Sequence, residues 1–241
     1  MKLLFAGPSL RGTEPDLGDV VLRPPAAHGD LTMAVLQGAT AIGLADGLFD
    51  AVAAVWHKEI LFALSRGVRV LGAASMGALR AAECAAYGME PVGRIAWSYV
   101  DGSRDDDADV GLVHAPAELG HAPLTEPIVD IEATLDRLSE LSLLGPGERS
   151  RILDHARTIF FAHRTIDDLV PPSLAHRRDA LLAAYRTHRV AQKQIDALDL
   201  LTQLGSLPDR HTHQPQFEFL ASPMWRVRLA ALASEAGVTL A

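Results

Sequence analysis

The sequence predicts an α/β fold: a small parallel or mostly parallel sheet with flanking helices, followed by an all-helical C-terminal region. Three observations predict it. Short apolar runs at Leu3–Ala6, Ala41–Ala45 and Val68–Ala74 are each bounded by glycine or a turn, the pattern of strands buried on both faces. A helical stretch from about Leu48 to Ser65 separates the second run from the third. That makes a βαβ unit whose strands pair in parallel through a right-handed crossover. From Pro127 onward apolar residues recur at helical intervals, with Ile128, Ile131, Leu135, Leu138 and Leu141 on one stripe.

Taken in order, Leu3–Ala6 is the first strand, because its four apolar residues are too few for the core of a signal peptide. Gly7–Asp30 is rich in Gly, Pro and Asp and reads as a loop with one short strand near Val20–Arg23, a candidate rim for a site. Within it, Pro24-Pro-Ala-Ala-His-Gly-Asp30 is a turn before a helix capped by Asp30, although Gly29 and Asp30 are equally placed to line a pocket. After Ser75 a helix through about Ala86 ends at Gly88, a glycine C-cap. Gly93–Val100 reads as another strand or a bent helix. The charge run Asp101–Asp109 is a solvated loop or a docking surface. Pro146 to Glu148 opens a helix through about His163, Pro171-Pro172 breaks the chain, Leu174–Leu204 gives one or two helices, and Ser222–Gly237 the last. Residues 1–135 are thus expected to form the α/β core, and 136–241 a helical region packed on it.

Composition narrows the function classes. With 241 residues, 49% of them hydrophobic, the chain can bury a substantial core. Its net charge is −8, and the imbalance lies in residues 1–130, with 17 acidic against 9 basic side chains; residues 131–241 hold 13 of each. A broad phosphate-binding surface needs clustered cations, so no nucleic acid is expected as a partner. No apolar run approaches the roughly 20 residues that span a bilayer, so a soluble protein with no membrane partner is expected. Cys84 is the only cysteine, which excludes an internal disulfide and makes the cytoplasm the expected compartment. His211-x-His213 is the closest histidine pair and has no carboxylate cluster beside it, so no metal is expected. Neither a Gly-x-x-x-x-Gly-Lys-Ser/Thr run nor a Gly-x-Gly-x-x-Gly run occurs, and no cofactor is expected.

The chemistry concentrates in Arg69-Val-Leu-Gly-Ala-Ala-Ser75-Met-Gly-Ala-Leu-Arg80, where a short strand ends in a serine and an Ala-rich helix begins at once. Such a turn exposes the Ser75 hydroxyl at the carboxyl edge of the sheet, beside the free N–H groups of Met76 and Gly77 that suit an oxyanion. Gly72 and Gly77 permit close backbone approach, while Ala73 stands where the hydrolase elbow Gly-x-Ser-x-Gly has its first glycine. The alternative is that Ser75 simply caps the helix. Lys58, in Ala54-Val-Trp-His-Lys-Glu-Ile-Leu61, either snorkels its amine to solvent or is sheltered enough to serve as the base for Ser75. The chain holds three lysines against nineteen arginines, and arginine cannot act as a base. His57 and Glu59 are surface residues or partners that orient that amine. Arg80 and Glu83 form an i,i+3 ion pair, with Arg80 also placed to read a substrate carboxylate.

The run Asp46-Gly-Leu-Phe49, then Ala54-Val-Trp-His-Lys-Glu-Ile-Leu61, Gly72-Ala-Ala-Ser-Met-Gly-Ala-Leu-Arg-Ala-Ala-Glu83, Gly88-Met89, Val92-Gly-Arg-Ile95 and Tyr99-x-Asp-Gly102 closely resembles the TfuA-like family, with Pro24-Pro-x-x-x-Gly-Asp30 upstream. The resemblance covers roughly residues 1 to 135. It implies a partner of a YcaO enzyme in backbone thioamidation of a peptide or protein substrate. It further implies a hydrolase whose Ser-Lys pair, here Ser75 and Lys58, releases sulfide from the C-terminal thiocarboxylate of a small ThiS-like sulfur-carrier protein. Two other readings stay open: a non-catalytic adaptor that binds YcaO and the carrier, and an unrelated Ser-Lys esterase or amidase.

Overall fold

Five short strands form one all-parallel sheet: β1 (Lys2–Phe5), β2 (Val20–Arg23), β3 (Ala41–Leu44), β4 (Arg69–Gly72) and β5 (Glu90–Pro91), in the spatial order β2-β1-β3-β4-β5. The computed structural model describes residues 1–48 and 52–239. Every residue of β1 and β3 is buried, because helices cover both faces. On one face Leu3, Phe5, Ile42 and Leu44 pack against α1 (Asp30–Leu36), α2 (His57–Ser65) and α3 (Met76–Cys84). On the other, Leu4, Ala41 and Leu71 pack against Ala197, Leu200 and Leu204 of α8 (Gln192–Ser206). Gly43 makes room there, since a Cβ at that position would sit 3.0 Å from both Leu204 Cδ2 and Leu4 Cδ1. Later in the chain α9 (Pro223–Ala236) lies against α1, started by Ser222, whose hydroxyl accepts the Trp225 N–H.

Several boundaries differ from the sequence reading for local reasons. The helix expected from about Leu48 passes through residues 49–51, which lie outside the described residues, and α2 itself begins only at His57. Two hydrogen bonds account for the late start: the His28 N–H donates to Ala53 O, and Glu59 Oε1 accepts the Trp56 N–H, which fixes the first turn at His57. Gly93–Val100, which reads as strand or helix, is α4, preceded by Gly88 at φ +99° closing the 3-10 turn that follows α3. Asp30 does not cap α1. Gly29, at φ +100°, holds the cap position, and Asp30 Oδ2 accepts the Ala27 N–H at 2.7 Å instead.

The chain divides into two compact units, residues 1–104 with 195–241, and residues 105–194. The division does not fall at residue 135, because α5 (Ile128–Glu140) runs unbroken through that position. The second unit is built on α5, α6 (Glu148–Thr158) and α7 (Arg178–Thr187), whose Ile128, Ile131, Leu135, Ile152 and Leu182 share one core. The helix read through about His163 ends at Thr158, and a 3-10 turn covers Phe161–His163.

That unit also buries charge. Glu126 is paired with Arg189, the Tyr185 hydroxyl donates to Glu126 Oε1 at 3.2 Å, and Asp130 accepts from the Lys193 N–H at 3.0 Å and from Arg189 at 3.3 Å. Burial pushes the Asp130 carboxyl up to about 6, against the pull of the Lys193 N–H and the two cations, with Glu126 adding to the rise. A carboxyl raised in the folded state binds its proton more tightly there than in the unfolded chain. Its contribution to stability is therefore complete below pH ~4 and lost as pH rises through about 6. Urea unfolding of wild type and Asp130→Asn across this range checks the sign: the stability of wild type relative to the variant should fall between pH 4 and 6.5, by on the order of 3 kcal/mol or less. A difference that is flat or rises with pH contradicts it.

Candidate active site at the carboxyl edge of the sheet

In a parallel sheet with this strand order, the crevice lies outside the carboxyl ends of the strands, where the order reverses between β1 and β3. The loops after β1 and β3 are tied together there by Asp46. Its Oδ2 accepts the N–H groups of Gly7 and Ser9 at 2.8 and 2.9 Å, and its Oδ1 accepts the Ser9 hydroxyl at 2.7 Å. Sequence reasoning misses Asp46 and Ser9 as organising residues. The available signal is a single carboxylate closing a buried apolar run, which must find donors to be tolerated.

β4 lies one strand in from the β5 edge, and the residues after it carry the turn to α3. The Ala73 N–H still donates to Leu44 O at 3.0 Å, and Ala74 then adopts φ +64°, a left-handed conformation that costs a non-glycine residue about 1 kcal/mol or more. Ser75 follows, with its N–H donating to Ala73 O at 2.8 Å and Ala45 O at 3.2 Å. The residue is only 7% exposed, yet its hydroxyl caps nothing: no N–H of α3 donates to Ser75 Oγ. The capping alternative therefore has no hydrogen bond to rest on.

Of the two amides expected to face an oxyanion, the structure leaves one open. The Gly77 N–H is taken by Ala45 O at 3.2 Å, whereas the Met76 N–H makes no hydrogen bond among the described residues. The amide after the nucleophile is also the one that strand-turn-helix hydrolases use. Both glycines are needed for packing. A Cβ on Gly72 would lie 2.2 Å from Gly77 O, and one on Gly77 would lie 1.7 Å from Leu44 O, so α3 can dock on the ends of β3 and β4 only without side chains there.

Lys58 is the second residue of α2, a helix that is mostly buried as its sequence neighbours suggest, and is itself half-buried. Because α2 follows β3 and Ser75 follows β4 in a parallel sheet, both residues stand at the carboxyl edge. They are not hydrogen-bonded to each other. The Lys58 amine donates to Leu220 O and lies 4.6 Å over the Phe219 ring. Phe219 packs in turn on Phe62 and Trp225 of the same unit.

Neither residue expected to orient this amine bonds to it. His57 Nε2 lies 2.8 Å from Glu83, which also accepts Arg80 Nη1 at 2.5 Å, while Arg80 Nε donates to Val55 O at 3.0 Å. The i,i+3 pair of Arg80 and Glu83 thus forms as expected and fastens α3 to the start of α2. Glu59 is buried and accepts the Gly29 N–H at 2.9 Å, the Thr32 N–H at 3.3 Å and the Trp56 N–H at 3.2 Å. It clamps the Gly29 loop onto α2. Glu59→Ala leaves those three N–H groups without acceptors and is expected to cost about 2–4 kcal/mol, read as a lower urea midpoint. A midpoint shift of less than ~0.5 kcal/mol contradicts the clamp.

Fold and site together define a doubly wound α/β protein with an uncommitted serine at the strand-to-helix turn of its carboxyl edge. Residues 46–165 match the family described as TfuA-like protein, and over that span the chain belongs to the TfuA-like family. No curated protein matches the chain. Among the described residues no helix is long and apolar enough to cross a membrane, and no three His, Cys, Asp or Glu side chains converge as metal ligands.

Proposed function

We propose that this chain is a hydrolase of the cytoplasm that releases sulfide from the C-terminal thiocarboxylate of a small ThiS-like carrier protein. In doing so it would supply a YcaO enzyme in backbone thioamidation of a peptide or protein substrate. One observation carries the reading: the Ser75 hydroxyl is held at the turn behind a left-handed Ala74, caps no helix, and adjoins the open Met76 N–H. In the proposed reaction Ser75 Oγ attacks the thioacyl carbon as Lys58 takes its proton, and the Met76 N–H stabilises the oxyanion. The Lys58 ammonium then returns that proton to the sulfur as the C–S bond breaks, so hydrosulfide leaves and the amine is neutral again. Water attacks the acyl-serine ester with Lys58 again as base, giving the carrier carboxylate and restoring the serine.

For this cycle the Lys58 amine must exchange its hydrogen bond with Leu220 O for one with Ser75. That same contact favours a second reading, in which the chain is an adaptor for YcaO and carrier and Lys58 only anchors the Phe219–Leu220 segment. Sulfide measured from thiocarboxylated carrier with the purified protein and no YcaO separates the two. The hydrolase releases sulfide catalytically and the adaptor releases none. Turnover of simple esters without turnover of carrier marks an unrelated esterase.

A further inference from the structure

We infer that the segment from Gln214 to Ala221 is an autoinhibitory strap: its Leu220 O holds the Lys58 amine away from Ser75, and the strap must lift before sulfide is released. The inference rests on the reading of Lys58 as the base for Ser75.

Both ends of the strap are fixed. It begins after His213, whose N–H donates to Gly67 O at 3.2 Å and whose ring covers Gly88, and it ends at Ser222, which starts α9. Gly67 and Gly88 come just before β4 and β5 and so lie at the amino edge of the sheet, whereas Lys58 stands at the carboxyl edge. Between the two edges Phe217 packs on Tyr87, with ring centroids 5.5 Å apart, and Phe219 packs on Phe62 at 5.7 Å.

The strap is lightly held. Leu220 O is its one backbone group that makes a hydrogen bond among the described residues, so no ladder or turn stiffens it. Phe217 and Phe219 are half-buried while Gln216, Glu218 and Leu220 are exposed, the alternation of an extended chain laid on a surface, and no residue of the strap is fully buried. Its seat is also incompletely filled. Phe217 and Phe219, with Phe62, Arg66, Trp225 and Leu229, line a groove of about 320 Å³, and the buried Trp225 indole N–H has no hydrogen-bond partner among the described residues. A buried donor without an acceptor disfavours the closed strap, because lifting lets water reach it.

The contact that opposes lifting is the one on the base. A carbonyl oxygen and a ring face 4.6 Å away both suit a cation, and an ammonium in that seat has no lone pair to accept the Ser75 proton. Latched and lifted states therefore differ in whether Lys58 is available, and the rate of sulfide release follows the lifted fraction.

Acylation of Lys58 and sulfide release, both measured on the full chain, test the strap. The other two lysines, Lys2 and Lys193, are buried, so peptide mapping after brief exposure to an N-hydroxysuccinimide acetate reports on Lys58. Phe217→Ala removes an anchor that packs on Tyr87 rather than under the amine, and should raise both Lys58 acylation and sulfide release from thiocarboxylated carrier at least about threefold. Phe219→Ala should do the same, but it also deletes the ring beneath Lys58, so Phe217→Ala is what separates the strap from a local contact. Tyr87→Ala breaks the same anchor from the other side and replaces Phe217→Ala if that variant folds poorly. Faster acylation with no sulfide from any form, wild type included, would support the strap and refute the hydrolase. Lys58 acylation unchanged when the Phe217–Tyr87 contact is removed, or faster acylation with sulfide release no higher than that of an active wild type, would overturn the strap.

Discussion

Ser75→Ala lowers sulfide release from a thiocarboxylated carrier by at least about 10³-fold, with the unfolding midpoint within ~0.5 kcal/mol of wild type. Activity and stability part here because the hydroxyl makes no capping bond, so deleting it removes a nucleophile and little else. A serine that held α3 in place would show the reverse, a stability loss near 1 kcal/mol with activity following the folded fraction. Lys58 gives a second axis to the same experiment. Lys58→Arg keeps a cation that can stack on Phe219 and donate to Leu220 O, but a guanidinium cannot take a proton from Ser75. If Lys58 is the base, the arginine variant is as inactive as Lys58→Met. If the amine only anchors the Phe219–Leu220 segment, arginine retains most of the wild-type rate.

Gly77→Ala brings the closest clash of an added methyl group among the glycines described. The added Cβ would fall 1.7 Å from Leu44 O, a backbone atom of a buried central strand that cannot move aside without breaking the β3–β4 ladder. The cost should exceed about 3 kcal/mol, enough to leave much of the protein unfolded at moderate temperature. Gly205→Ala is the matched control. Gly205 lies in α8 with no positive φ, and an added methyl group there would meet no atom within 4 Å, so alanine should stabilise by roughly 0.5–1 kcal/mol. Urea melts of the two variants check the contrast, and comparable midpoints would show that α3 does not need its close seat on the sheet.

Much of the architecture is legible in the residues because it follows from burial. Leu3–Ala6, Ala41–Ala45 and Val68–Ala74 read as strands since a strand covered on both faces has no polar positions, and each overlaps an observed strand within one or two residues. The glycine stops at Gly88 and Gly237 read equally well, because a left-handed cap is a local requirement. Ser75 is legible for the same reason, as the last residue of an apolar run before an Ala-rich helix.

Tertiary hydrogen bonds are not legible. The start of α2 is set by a carboxylate three residues into the helix and by His28 in another loop, neither of which leaves a mark in local periodicity. The same holds for Glu59, which reads as an interruption of an apolar helix and proves to be the acceptor for three N–H groups from two segments. Lys58 shows the limit most plainly. Its neighbours leave the amine either snorkelling or sheltered, and its partner is a carbonyl 162 residues away, in a stretch whose sequence carries no periodic signal.

Covalent catalysis at Ser75 is open to one decisive assay: acid quenching of wild-type protein mixed with thiocarboxylated carrier, followed by peptide mapping of any adduct. The carrier's C-terminal acyl group should be found esterified to the peptide containing Ser75, appearing as sulfide is released. Sulfide release with no adduct at Ser75, or with the carrier bound through another residue, would refute the mechanism.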